Sequence, residues 1–202
     1  MGVRQWFGPS RDEIWLRLSE KVGGRYVDGG FWKGDKVEVT HKDWIVTLDV
    51  HVVPAGKAHI PMTRIRAPYV NPTGFRFTVY RKSTFSGIAK VFGMQDIEIG
   101  DPRFDDDFII KATDESLVRA LLASPRLRDL MVQQTSIHLT VRDDEGWFAV
   151  RFPEGVDELH FEVAGVITDI ERLAQLYRLF AETLDQLTRI GAAYDGPAHV
   201  TL

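Results

Sequence analysis

The chain has no cysteine. That excludes disulfides, thiolate zinc sites and cysteine nucleophiles together, and it fits a reducing compartment. No apolar run reaches the ~20 residues of a membrane helix, so no membrane span and a cytoplasmic location are expected. The opening MGVRQWFGPSRDE lacks the apolar core of a secretory signal, and Trp6 stands where a myristoylation pattern needs Ser or Thr. The common catalytic signatures are also missing. There is no G-x-G-x-x-G, no Walker loop and no H-E-x-x-H. Thr84-Phe85-Ser86-Gly87-Ile88 lacks the first glycine of a nucleophile elbow, and Asp143-Asp144-Glu145-Gly146 does not follow the calcium-loop order. One absence is local: no Asp or Glu occurs from Val50 to Gln95.

What is present suffices for a globular core. The 202 residues are 44% hydrophobic with 12 Phe and 5 Trp, enough for one large domain or two small ones. A net charge of −4 argues against a general nucleic-acid binder, and no cofactor is expected. The acid-free span carries Lys57, Arg64, Arg66, Arg76, Arg81, Lys82 and Lys90, with His51 and His59. The next stretch reverses the sign with Asp96, Glu98, Asp101, Asp105, Asp106, Asp107, Asp114 and Glu115. Such a pairing of blocks speaks about electrostatics rather than fold.

Periodicity supplies the elements. Ser10-Arg-Asp-Glu13 is a capping box opening a helix with Ile14, Trp15, Leu18 and Val22 on one face, closed by Gly23-Gly24. Alternating segments follow at 36–41, 44–53, 61–69 and 75–81, with Asn71-Pro72-Thr73-Gly74 as a turn. Ser83 heads a short helix presenting Phe85, Ile88, Ala89 and Phe92 to a core or an interface, and a homodimer is one reading of that face. A strand through 108–111 precedes two helices, the second opened by Ser124-Pro125. Three strands at 137–141, 147–152 and 159–163 come next. Thr168-Asp-Ile-Glu171 opens a long helix to about Ile190. Runs of strands and runs of helices, rather than strict alternation, give an α+β fold. It has mainly antiparallel sheet, an N-terminal helix and a long C-terminal helix packed on the sheet. One domain spans 1–202, and a division into lobes 1–99 and 100–202 at Gly100-Asp101-Pro102 is the alternative.

Three clusters are candidates for function. Asp49 and His51 share a strand face and form a possible carboxylate–imidazole pair, although no nucleophile or third ligand completes it. His41 falls on the apolar phase as a hydrogen-bonded core residue. His138 and His160 fall on the polar phase and are read as solvent-facing. Arg64 and Arg66 share a face, and Arg76 with Tyr80 extends it one strand over. Arginine forks suit carboxylates and phosphates, so a small anion or a phosphate headgroup could dock there, unless these arginines pair with the acidic block. The third cluster is the sequence GDPRFDDDF, residues 100–108. Asp105 and Asp107 could converge on a hard cation or do acid/base work, but strand alternation excludes Asp106 from joining them. With Phe104 and Phe108 on one apolar phase, the cheaper solution is an anchored turn at Asp105–Asp106. There the aspartate oxygens accept backbone N–H groups.

The same segment resembles a pattern of bacterial domain-of-unknown-function proteins, G-D-x-x-F-D-x-x-F-[IV]-[IV]-[KR], followed by a helix ending in Leu-Leu. The matching residues are Gly100, Asp101, Phe104, Asp105, Phe108, Ile109, Ile110 and Lys111, then Leu121 and Leu122. The resemblance covers roughly residues 94 to 190. Many proteins with this pattern place it after membrane helices, which this chain does not contain. The resemblance implies Asp105 as the fixed, turn-capping aspartate and brings no catalytic residue. The resulting expectation is a bacterial, non-enzymatic module that binds a protein or a small anionic ligand through the polar sheet face or the groove beside the long helix. The alternatives are a metal-dependent hydrolase using Asp105 and Asp107, and an anion or headgroup binder using Arg64, Arg66 and Arg76.

Overall fold

The computed structural model describes residues 10–30, 34–84, 96–143, 152–194, 196–200 and 202. Within them the order is α1 (Arg11–Val22), β1 (Arg25–Val27), β2 (Lys36–His41), β3 (Trp44–Ala55), β4 (Ala58–Val70), β5 (Phe77–Arg81), α2 (Pro102–Asp107), β6 (Phe108–Ala112), α3 (Glu115–Leu122), α4 (Pro125–Val132), β7 (His138–Arg142), β8 (Val156–Ala164) and α5 (Ile170–Arg189). The fold is α+β, with one eight-stranded antiparallel sheet in the order β1-β2-β3-β4-β8-β7-β5-β6. The strand expected at 147–152, the hairpin turn before it and the Phe85/Ile88/Phe92 helix face lie outside the described residues.

Cross-strand register explains the core. Val37, Leu48, Ile65, Phe161, Leu139, Val79 and Ile110 stand opposite one another in a single row across seven strands. Each is at most 1% exposed. Side chains alternate across a strand, so this row fixes which phase of every strand meets the helices. On that side α5 buries Leu173, Leu176, Tyr177, Phe180, Leu184 and Leu187. The Tyr177 hydroxyl donates to the Val37 carbonyl at 2.8 Å, which ties α5 to β2. Strand β8 lies between β4 and β7, so the sheet is continuous from the first half of the chain into the second.

Local chemistry sets the helix ends. Ser10 and Glu13 form the reciprocal capping box, and Gly23 ends α1 in the left-handed region at φ 66°. Ser124 caps α4, with Pro125 in its first turn. The box at Thr168 is corrected: Asp169 is the cap, accepting from the Glu171 and Arg172 backbone N–H groups. A carboxylate makes the stronger, charge-assisted acceptor and suits the positive end of the helix. Strand β1 has only three residues, too few to declare a period.

The segment 100–108 is also corrected in detail. It contains a six-residue helix rather than a bare turn, capped by the Asp101 side chain at the Phe104 N–H. Phe104 and Phe108, one helical turn apart, stack with ring centroids 4.3 Å apart. This puts both phenylalanines in the core without carrying Asp106 inside.

Candidate functional site

The polar side of the sheet has its own register. Glu38, Thr47, Arg66, His160, Thr140, Thr78 and Lys111 form one row, one residue along from the apolar row. A neighbouring row runs Lys36, Asp49, Arg64 and Glu162. Polar residues here are not all wet: Arg66, His160 and Glu158 are 4%, 1% and 0% exposed. That corrects the reading of His160 as solvent-facing. Strand β8 sits in mid-sheet, where its polar phase is buried at Glu158 and His160 and opens only from Glu162 onward.

The buried charges are held by one another. Asp49 accepts from Arg64 through both Nε and Nη2 at 2.8 Å, and Arg66 Nη2 donates to the same carboxylate. Burial pushes the Asp49 carboxyl up, but the two guanidiniums outweigh it and the net displacement is downward. Asp49 therefore serves the arginines rather than His51. His51 faces Glu162 at 3.5 Å, its Nδ1 has no hydrogen-bond partner, and burial followed by the Arg64 charge lowers its pKa.

On β8, His160 stands between two carboxylates of its own strand. Nδ1 lies 2.7 Å from Glu158 Oε1 and Nε2 lies 3.3 Å from Glu162 Oε2. The His160 hydrogen bond outweighs burial and brings Glu162 down to about 2. His138 is half-buried, edge-on to the Tyr80 ring at 6.2 Å, and burial with the Arg142 charge lowers it to about 4. It too departs from the solvent-facing expectation. Tyr80 itself is buried, which pushes its phenol up.

Arg76 belongs to a different network. It reaches Asp143 at 2.8 Å and Asp157 at 3.4 Å, and Asp157 is also held by Asn71 at 2.6 Å. Burial works against the Arg76 cation, but the two aspartates raise its pKa overall. The basic block pairs with the acidic one only in part, through Arg81–Asp107 at 2.8 Å, while Lys111–Asp96 at 3.3 Å is a pair within the acidic stretch itself.

The aspartates of α2 point to separate tasks. Asp105 accepts the Ile99 and Gly100 backbone N–H groups at 2.9 Å, one on each carboxylate oxygen. Asp107 faces Arg81. Among the described residues no group of three His, Cys, Asp or Glu could hold a metal ion.

Concavities lie on both sides of β2 and β3. One, of about 370 Å³, lies on the polar side, where Pro197, Ala198, His199, Val200 and Leu202 face Glu38, Ile45, Thr47 and Pro68. Lys36 Nζ donates to the Leu202 carbonyl at 2.6 Å, fastening that segment across the sheet. Another, of about 340 Å³, lies on the helix side between α1, β2 and α5. Its floor is Val22, Val39, Val46, Ala174 and Ala181, and its rim carries Lys21, His41 and Arg178. Lys21 is paired with Glu171 at 2.6 Å, and His41 with Asp185 at 3.0 Å. His41 is thus a rim residue hydrogen-bonded to α5 rather than a core one. Arg178 has no acidic partner among the described residues.

Fold and site together define an α+β protein with one mixed-use antiparallel sheet: a packed helix side bearing a groove, and a polar side closed by its own ion pairs. No family model and no curated protein sequence matches the chain. Among solved structures it is similar to the mycobacterial trehalose monomycolate transport factor A, at 12% identity and a TM-score of 0.41, over 89% of this chain and 94% of that one. A likeness at that score says nothing of ligand or partner.

Sequence reasoning named Arg64, Arg66, Asp49 and His51, which do come together, and Arg76, which does not join them. It missed Glu158, Glu162 and His160. Their signal was present as Glu158-Leu-His160-Phe-Glu162, three ionisable groups in one strand phase.

Proposed function

We propose that the protein is a non-enzymatic binding module, bacterial by its motif resemblance, that takes a small amphipathic anion in the groove between α1, β2 and α5. One observation carries this reading: an apolar floor of valines and alanines meets an arginine, Arg178, that no described carboxylate neutralises. Pockets of a few hundred Å³ with an apolar lining and one or two placed polar groups suit small ligands. A guanidinium at the rim suits a carboxylate or phosphate head. Arg64 and Arg66 offer less to an external anion, because Asp49 already takes up both guanidiniums. Asp105, with both oxygens on backbone N–H groups, and Asp107, on Arg81, lend the hydrolase reading no support.

Amide-resolved NMR titration with octanoate, and with octanol as the uncharged control, tests the proposal. Shifts confined to residues around Val39, Ala174 and Ala181, lost in Arg178→Gln and in the groove-filling Ala181→Phe, are expected. Octanol should bind more weakly in proportion to the missing charge contact. Shifts that map to the Arg64/Arg66 face, or an unchanged spectrum at millimolar octanoate, would overturn it.

A further inference from the structure

The β3–β4 hairpin outruns the sheet that supports it. Pairing of β3 with β2 ends at Asp49, and pairing of β4 with β8 ends at Thr63. Beyond those points the two strands ladder with each other, through Val52↔Pro61, Val53↔Ile60, Pro54↔His59 and Ala55↔Ala58. A two-residue turn, Gly56-Lys57, closes the arm, with Gly56 in the left-handed region at φ 64°. The base is pinned where Gly165 N donates to Pro61 O at 2.7 Å and Met62 bridges Gly165. From Val52 to Ala55 the arm extends roughly 10 Å.

The arm is mostly apolar. Residues directly opposite share a face, so one face carries Val52, Pro54 and Pro61 with His59 near the tip, and the other carries Val53, Ile60, Ala55 and Ala58. Val52 is 56% exposed and Ile60 38% exposed. A lone exposed valine means little, but a projecting hairpin that carries Val52 on one face and Val53 with Ile60 on the other shows more contiguous apolar surface than water favours. A two-stranded ribbon is also marginal in isolation.

Charge narrows the occupant. Lys57 at the tip has no ion-pair partner among the described residues, and no Asp or Glu occurs from Val50 to Gln95. The lysines and arginines nearer the sheet are mostly engaged, as Lys36, Arg64, Arg66 and Lys111 are. Proline narrows it further. Pro54 and Pro61 each lack a backbone N–H, and such prolines discourage the addition of another strand to an edge. A protein partner that captures a hairpin by strand addition is therefore disfavoured. A medium that accepts apolar side chains on both faces and attracts a cation at the tip fits better.

We infer that the β3–β4 arm is a docking element for an anionic lipid surface. It lies in the interface with Val52, Val53 and Ile60 among the acyl boundary and Lys57 among the headgroups. Shallow placement leaves the ribbon's outer backbone groups in contact with headgroups and water, as their hydrogen bonding requires.

Co-sedimentation of the full chain with vesicles of phosphatidylcholine alone, and with about one-third phosphatidylserine, tests this. The protein should pellet with the anionic vesicles and not with the neutral ones. Lys57→Gln should weaken the partition about fivefold, the effect of one basic residue at such a surface. The double variant Val52→Ser, Ile60→Ser should abolish it while leaving the thermal midpoint unchanged, since both side chains are exposed. No pelleting with anionic vesicles, or undiminished pelleting of the double variant, would overturn the inference. So would a concentration-dependent dimer in sedimentation velocity that the double variant dissolves, because the arm would then serve a second copy of the chain.

Discussion

His160 Nδ1 lies 2.7 Å from Glu158 Oε1, and the two side chains are 1% and 0% exposed. With Glu162 on the other ring nitrogen, the imidazole has an acceptor at each end. A neutral imidazole has one N–H, so two bridging protons require either an imidazolium or a protonated carboxyl in the trio. Such a buried cluster contributes little net stability while intact and costs a great deal when one member is removed.

His160→Leu should therefore destabilise the protein by about 1–3 kcal/mol, because it removes the imidazole hydrogen bond from the buried Glu158. Glu158→Gln keeps an acceptor for the ring and should cost less. Urea unfolding at neutral pH, followed by tryptophan fluorescence, gives the ranking. Equal small losses for both variants would mean that water reaches the cluster.

Stability should fall on the acid side in two stages. His138 has its folded pKa lowered from 6.5 to about 4, so between those values the unfolded chain binds a proton that the folded one refuses. Its contribution, on the order of 3 kcal/mol, is lost as pH drops through that window. Glu162 is lowered from 4.5 to about 2, so the stability it supplies is present above 4.5 and is lost as pH falls toward 2. Unfolding free energies measured from pH 7 to 4 should have a shallower slope in His138→Gln, part of the remainder coming from His51, whose pKa is also lowered. An unchanged slope would place the titration elsewhere.

Within the aspartate run, the three residues should behave differently. Asp105→Ala strips acceptors from two backbone N–H groups and should cost about 2–3 kcal/mol. Asp105→Asn keeps one acceptor and should cost about half as much. Asp107→Ala loses a half-exposed pair with Arg81 and should fall within about 1 kcal/mol. The exposed Asp106→Ala should be close to neutral. Chemical denaturation of the four variants checks the order, and a large effect at Asp106 would contradict it.

Phe161→Ala removes the centre of the apolar row, between Ile65 and Leu139, and should cost about 3–5 kcal/mol. Thermal and urea unfolding should agree on its size, whereas Ile45→Ala on the exposed side of β3 should change little.

Much of this architecture was legible in the residues. Ser10 with Glu13, Ser124 with Pro125, and the alternation of β3 and β4 are local signals with local causes. Asp105 was legible as a turn-capping carboxylate because Phe104 and Phe108 leave no apolar place for its neighbours. The Asp49–Arg64 pair was also within reach, since both stand equidistant from the Gly56-Lys57 turn. The burial of the Glu158–His160–Glu162 cluster was not, although its shared strand phase was. Alternation says which side of a strand a residue takes, not whether that side meets water. The answer depends on β8 lying between β4 and β7, a pairing of segments far apart in the chain.

That placement has a kinetic consequence. Among the described strands of the sheet, the one at its middle, β8, is the last to leave the ribosome. Until Val156–Ala164 emerges, β4 and β7 each offer a bare edge to any other chain nearby. Pairings such as Ile65 with Phe161 close long loops, so folding should be slow and should wait for β8. Edge protection during synthesis is thus a demand that this topology places on the cell.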